Sequence, residues 1–182
     1  MKVVCGLVLL SMISGIDYRD DLLPVRDQGV RGNCLAYSAA AMMEWRDYKT
    51  TGKKTYFDPA QIYNKRKNPE KLVMGDIERI LNVKCVSIKT VEELKETLLN
   101  DGPCIINFQT YNRTSSMWKP LDSNLVTGFH SMLVVGYDND GFILRNSWGA
   151  RWGDNGYCVF PYEDWKWKWD VLKCICYDNI KK

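Results

Sequence analysis

Residues 24–48 read PVRDQGVRGNCLAYSAAAMMEWRDY, a glycine-punctuated turn followed at once by a helical run. After Cys34, apolar side chains recur at Leu35, Ala39, Met42 and Met43, with Ala36, Ala40 and Ala41 between them. A helix that is apolar around most of its circumference belongs at the centre of a fold. Cys34 falls in its first turn, where free backbone N–H groups and the positive end of the helix dipole favour thiolate over thiol. Gly29 and Gly32 let the preceding loop bend tightly and aim the sulfur into a cleft. A lone cysteine at a helix start is also an ordinary small buried hydrophobe, so this stretch alone leaves both readings open.

A residue far downstream shifts the balance. The chain has one histidine, His130, at the start of the apolar run HSMLVVGY, which is followed by the turn DNDG and then FILRNSWG. A hairpin on that turn brings Asn146 back to within a few residues of His130. A nucleophilic cysteine needs that pairing: an imidazole to take its proton and a third group to hold the imidazole.

The segments DQGVRGNCLAYSAA, GFHSMLVVGY and NSWGARWGDNGY resemble the three signature blocks of papain-like cysteine peptidases. The order fits as well, with about 96 residues between Cys34 and His130 and about 16 from there to Asn146. The resemblance implies Gln28 as oxyanion-hole donor, Cys34 as nucleophile, His130 as base and Asn146 as its orienter. Trp148 would shield the histidine–asparagine bond, with Phe129 and Trp152 also near the substrate. Met74 and Gly75 stand near the family's substrate-binding glycine pair, although only one glycine is present. Three positions depart from the pattern: Leu35 replaces a tryptophan, Asn33 a serine, and Phe129 stands where Asn or Asp often precedes the histidine. These changes touch substrate preference rather than chemistry. The implied function is a cysteine-type endopeptidase that forms an acyl-enzyme from a thiolate–imidazolium pair. Acyl transferase or isopeptidase action on the same fold and a catalytically idle binding module are the alternatives, and the intact Gln28, Cys34, His130 and Asn146 speak against the last. Protein or peptide substrates follow, with no cofactor or metal.

At 182 residues and a net charge of +3, the chain suits one domain, 1–182, with a sizeable core. Such a mild charge argues against a dedicated nucleic-acid protein. No apolar run is long enough to cross a membrane as a helix, and a monomer is expected. Cysteine usage follows from the resemblance: Arg31 occupies the place where secreted relatives carry a cysteine, and its partner is missing too. Cys5, Cys85, Cys104, Cys158, Cys174 and Cys176 are therefore read as mostly reduced and buried, which suits an intracellular protein. A zinc site from Cys158, Cys174 and Cys176 lacks both a spare histidine and CxxC pairs. The head, MKVVCGLVLLSMISG, reads either as a signal peptide or as a strand or lid on the domain, the second being preferred; under the first, the Asn112 sequon would matter. No long propeptide is expected ahead of Cys34, so the enzyme would be active as made or restrained by this head, a restraint that deletion of residues 2–15 would relieve.

The central helix should stop at Gly52. Asp58 and Pro59 open a second helix, with Gln61 completing a capping box; Asp76 caps a third, and Thr90 with Glu93 opens a fourth that ends at Gly102. Residues 104–110, the hairpin of 130–146 and residues 157–161 are short β-prone runs. The tail EDWKWKWDVLKCIC alternates Trp165, Trp167 and Trp169 with charged residues, as a strand presenting one indole face would; base stacking on that ladder is the less favoured reading. The expected architecture is α+β, a papain-like two-lobed fold. A helical lobe (about 17–85) would face an antiparallel β-barrel-like lobe (about 86–182) across the active-site cleft.

Overall fold

In the computed structural model the described residues are 15–120 and 125–176. The readings placed on residues 1–14, the signal peptide or lid and Cys5, lie outside them. Helices α1 (Cys34–Thr51), α2 (Pro59–Asn64) and α3 (Met74–Leu81) come first, after a two-residue strand β1 (Ile16–Asp17). Then follow β2 (Val83–Ser87), α4 (Val91–Asn100), β3 (Cys104–Thr110), β4 (Gly128–Tyr137), β5 (Gly141–Arg145), β6 (Tyr157–Pro161) and β7 (Lys168–Cys176). The strands form one antiparallel sheet in the order β2-β7-β3-β4-β5-β6, with β1 against β4. Gly136 makes that last pairing possible, because a side chain there would strike the Ile16 carbonyl.

The sheet is buried on both faces, and the period of two in its strands divides the core. On β3 and β4, Ile105, Leu133 and Val135 point to α1, joining Ala36, Ala39, Ala40 and Met42. Ile106, Phe108, Met132 and Val134 point the other way, into a second cluster with Leu94, Trp118 and Phe160. Phe108 of β3 and Phe160 of β6 bring their rings to 5.2 Å although two strands separate them in the sheet, so the sheet curls round this second cluster. This is the barrel-like half of an α+β fold.

Helix α1 ends as its sequence predicts, at Gly52 with φ 72° and its N–H on the Tyr48 carbonyl. Asp58 caps α2 by accepting from Ala60 N–H at 2.9 Å, and Thr90 caps α4 by accepting from Glu93 N–H at 3.1 Å. Asp76, by contrast, does not cap α3 from outside. The helix begins at Met74, and Asp76 sits within its first turn, accepting from the Val73 and Lys67 N–H groups. Arg79 pairs with it at 2.9 Å and holds the Asp76 carboxyl below its usual range. The carboxylate still neutralises the helix start, from two residues further in.

Two further expectations are corrected. Cys85 and Cys174 are bonded to each other rather than reduced. They lie directly opposite on β2 and β7, a register that no sequence spacing of 89 residues could reveal. Cys34, Cys104, Cys158 and Cys176 are free thiols. The tryptophan ladder is not one strand either: Tyr162–Trp167 forms a 3₁₀ turn and β7 begins at Lys168. Buried Asp164 holds that turn, accepting from Trp118 Nε1 at 3.0 Å and pairing with Lys119 Nζ at 2.9 Å. The three indoles therefore diverge. Trp165 donates to the Lys89 carbonyl, Trp167 packs on the second core cluster, and Trp169 stands 61% exposed beside Phe129. The expected division near residue 85 falls inside β2, so the sheet draws an edge strand from the helical half of the chain.

Candidate active site

The N-terminus of α1 is seated on β4. Ser38, one turn beyond Cys34, donates from its hydroxyl to the Ser131 carbonyl at 3.2 Å. Cys34 and His130 line the same cleft. The cleft has two arms. One runs past Gln28, Arg31, Arg113 and Trp148, the other past Leu35, Leu72, Met74, Trp169 and Asp170, and Phe129 borders both.

His130 is 5% exposed, and its Nε2 lies 2.7 Å from Asn146 Oδ1. The same oxygen accepts the Ser147 backbone N–H at 2.7 Å. A backbone N–H can only donate, so this atom of Asn146 must be the oxygen, and His130 Nε2 must carry the hydrogen. Nδ1 is left with its lone pair free, the tautomer a base requires. Trp148 lies over the imidazole, ring centroids 4.4 Å apart, and screens the bond from water. Behind it Trp152 stands edge-on to Trp148 at 5.6 Å, with its own N–H donated to the Arg113 carbonyl.

Burial opposes charge on both His130 and Cys34. Burial pushes the His130 imidazole down to about 4, against the opposing effect of its bond to Asn146, and the charge of Arg113 adds to the depression. Burial also pushes the Cys34 thiol up, partly offset by the N–H groups of Ser131 and of the helix start. Burial and the helix start therefore act on the Cys34 thiol in opposite directions.

Gln28 is held from three sides. Its backbone N–H bonds the Ser147 carbonyl at 2.8 Å, next to a β-bridge between Asp27 and Trp148. Its Oε1 accepts the Ser147 hydroxyl at 2.6 Å, and one hydrogen of Nε2 goes to the Arg31 carbonyl at 2.7 Å. The second hydrogen of the amide remains for a ligand. Gly29, at φ 65°, turns the loop that carries these groups.

Met74 and Phe129 border the cleft, Phe129 being 66% exposed. Gly75 follows Met74 in the first turn of α3. Sequence reasoning missed Ser147, Ser131, Arg31 and Arg113. Ser147 lies between two residues it had singled out, but a hydroxyl directed at Gln28 across 119 residues leaves no local signature. Arg113 sits in an irregular loop, where no periodicity marks a side chain. Among the described residues no group of three His, Cys, Asp or Glu side chains could hold a metal ion.

A family model described as "Papain family cysteine protease" matches residues 60–166, a range that includes His130 and Asn146 and begins after Cys34. Cysteine proteinase 3 of Entamoeba histolytica is 25% identical over 78% of this chain and 60% of its own length, so the chain spans less than two thirds of that relative. Xylellain, a cysteine protease from Xylella fastidiosa, superposes with a TM-score of 0.78 at 18% identity, over 90% of this chain and 86% of that one. A cysteine protease of Carica candamarcensis, solved with E-64, gives 0.72 at 17% identity over 90% and 99%. These two likenesses show the fold. With more than half of its length matched by the family model, the chain belongs to the papain family of cysteine proteases.

Proposed function

We propose that this protein hydrolyses peptide bonds by nucleophilic attack of Cys34. The observation that carries the reading is the Asn146 oxygen shared between Ser147 N–H and His130 Nε2, which leaves Nδ1 bare beside the cleft that Cys34 lines. Nδ1 takes the Sγ proton, and the sulfur attacks the carbonyl carbon. The oxyanion is received by the Cys34 backbone N–H and the free hydrogen of Gln28 Nε2. The imidazolium then gives its proton to the departing amine. Water, deprotonated by His130, hydrolyses the thioester and restores the thiol. No other imidazole exists in the chain to replace this base.

Treatment with a peptidyl epoxide followed by peptide mass mapping tests the proposal, alongside turnover of a fluorogenic peptide library. Modification of Cys34 alone, abolished in His130→Ala, with turnover lost in Cys34→Ala, is the expected result. An unmodified Cys34 in folded protein that turns over no peptide would refute it.

A further inference from the structure

Two guanidinium groups border one arm of the cleft and not the other. Arg31 comes from the loop before α1 and Arg113 from the segment after β3, and both line the arm that contains Gln28 and Trp148. No Asp or Glu is among the described residues lining that arm. Neither arginine forms an ion pair among the described residues. Arg113 is oriented by the face of Trp148, 5.7 Å from its guanidinium carbon, and its charge reaches His130. The other arm carries Lys71 and Asp170 together, so its charges offset. Two exposed guanidiniums with no ion-pair partner among the described residues are available to an anion, and planar guanidinium is suited to carboxylate.

We infer that this arm selects substrates bearing a carboxylate, held between Arg31 and Arg113. The inference rests on the peptidase reading above and names the substrate class for it. The carboxylate has two sources: the substrate's own C-terminus, which can lie only on the leaving-amine side of the cleaved bond, or an Asp or Glu side chain. A carboxylate there also neutralises the field that Arg113 exerts on His130, so binding it favours the imidazolium that the reaction must form.

The test compares kcat and KM for matched fluorogenic peptides. One pair ends in a free carboxylate or its amide, and further pairs carry Glu or Gln at each residue flanking the cleaved bond. Wild type is set against Arg31→Gln, Arg113→Gln, the double variant and the two Lys replacements. We expect about a tenfold preference for the carboxylate member of one pair, expressed mainly in KM. That preference should fall towards parity in the double variant and partly return with Lys; which pair shows it identifies the source. Equal rates in wild type, or a preference that survives in the double variant, overturns the inference. A second measurement needs no turnover: the rate of Cys34 alkylation by iodoacetate relative to iodoacetamide. This ratio should drop about tenfold in the double variant. An unchanged ratio overturns the inference, whereas absence of all peptide cleavage with a changed ratio sinks the peptidase reading alone.

Discussion

Ser147 serves the site twice, its N–H fixing which atom of Asn146 faces His130 and its hydroxyl donating to Oε1 of Gln28, whose Nε2 is set by the Arg31 carbonyl. These are separable effects. Gln28→Ala removes the proposed oxyanion donor and should lower kcat about a hundredfold or more with the fold intact. Ser147→Ala keeps the donor but removes one of the two side-chain anchors of its carboxamide, and should cost about tenfold in kcat with KM little changed. Steady-state kinetics on one peptide would rank them, and equal losses would mean that Gln28 needs no anchor. His130 gives a second residue-scale prediction, because a sole histidine can be followed by NMR without assignment ambiguity. Its titration midpoint should lie about 4, well under the ordinary 6.5. The base must be neutral, so the acid limb of kcat/KM should fall in the same region, while the alkaline limb lies above the ordinary thiol range because burial raises Cys34. The sign for stability follows: the unfolded chain takes up this proton first on acidification. The contribution of His130 is therefore complete above about 6.5 and is lost as pH falls through about 4. A midpoint near 6.5 would mean a solvated ring.

Elements whose limits depend on local chemistry were readable from the chain. Gly52 ends α1, Pro59 opens α2 behind Asp58, and β3 occupies residues 104–110, all where turn chemistry and period indicate. The segment 162–170 misled because Trp-Lys-Trp-Lys-Trp has the period of a strand, yet Asp164 finds Trp118 and Lys119 only after the sheet has curled, and those bonds hold a 3₁₀ turn. Gly102 shows how an element end becomes a tertiary contact. Its φ of 91° closes α4, and a Cβ there would run into the Trp45 indole of α1. Gly102→Ala combines left-handed strain with an overpacked contact and should destabilise by about 2–4 kcal/mol. A lowered urea midpoint at unchanged slope is the expected observation; an unaltered midpoint would show that α4 and α1 can separate freely at this point.

For the molecule as a whole, the Cys85–Cys174 bridge ties β2, the edge strand that follows α3, to β7 near the described end of the sheet. Closing so long a loop in the unfolded chain makes the bridge worth about 2–4 kcal/mol, so Cys85→Ser with Cys174→Ser should lower the melting temperature measurably. Peptide mapping without reduction should recover the two cysteines as one linked pair, and recovery as separate thiols would remove the bridge from the account. By itself the sequence determined the central helix and the β-rich second half and singled out Gln28, Cys34, His130 and Asn146 as candidates, because periodicity, glycine placement and the signature blocks are local properties of the chain. Only the tertiary structure decided the Cys85–Cys174 pairing, the anchoring of Gln28 by Ser147, the burial of the imidazole, and the two arginines along one arm of the cleft. Each of those depends on strand register, burial or distance between residues remote in the chain, which exist only once the sheet has closed against α1.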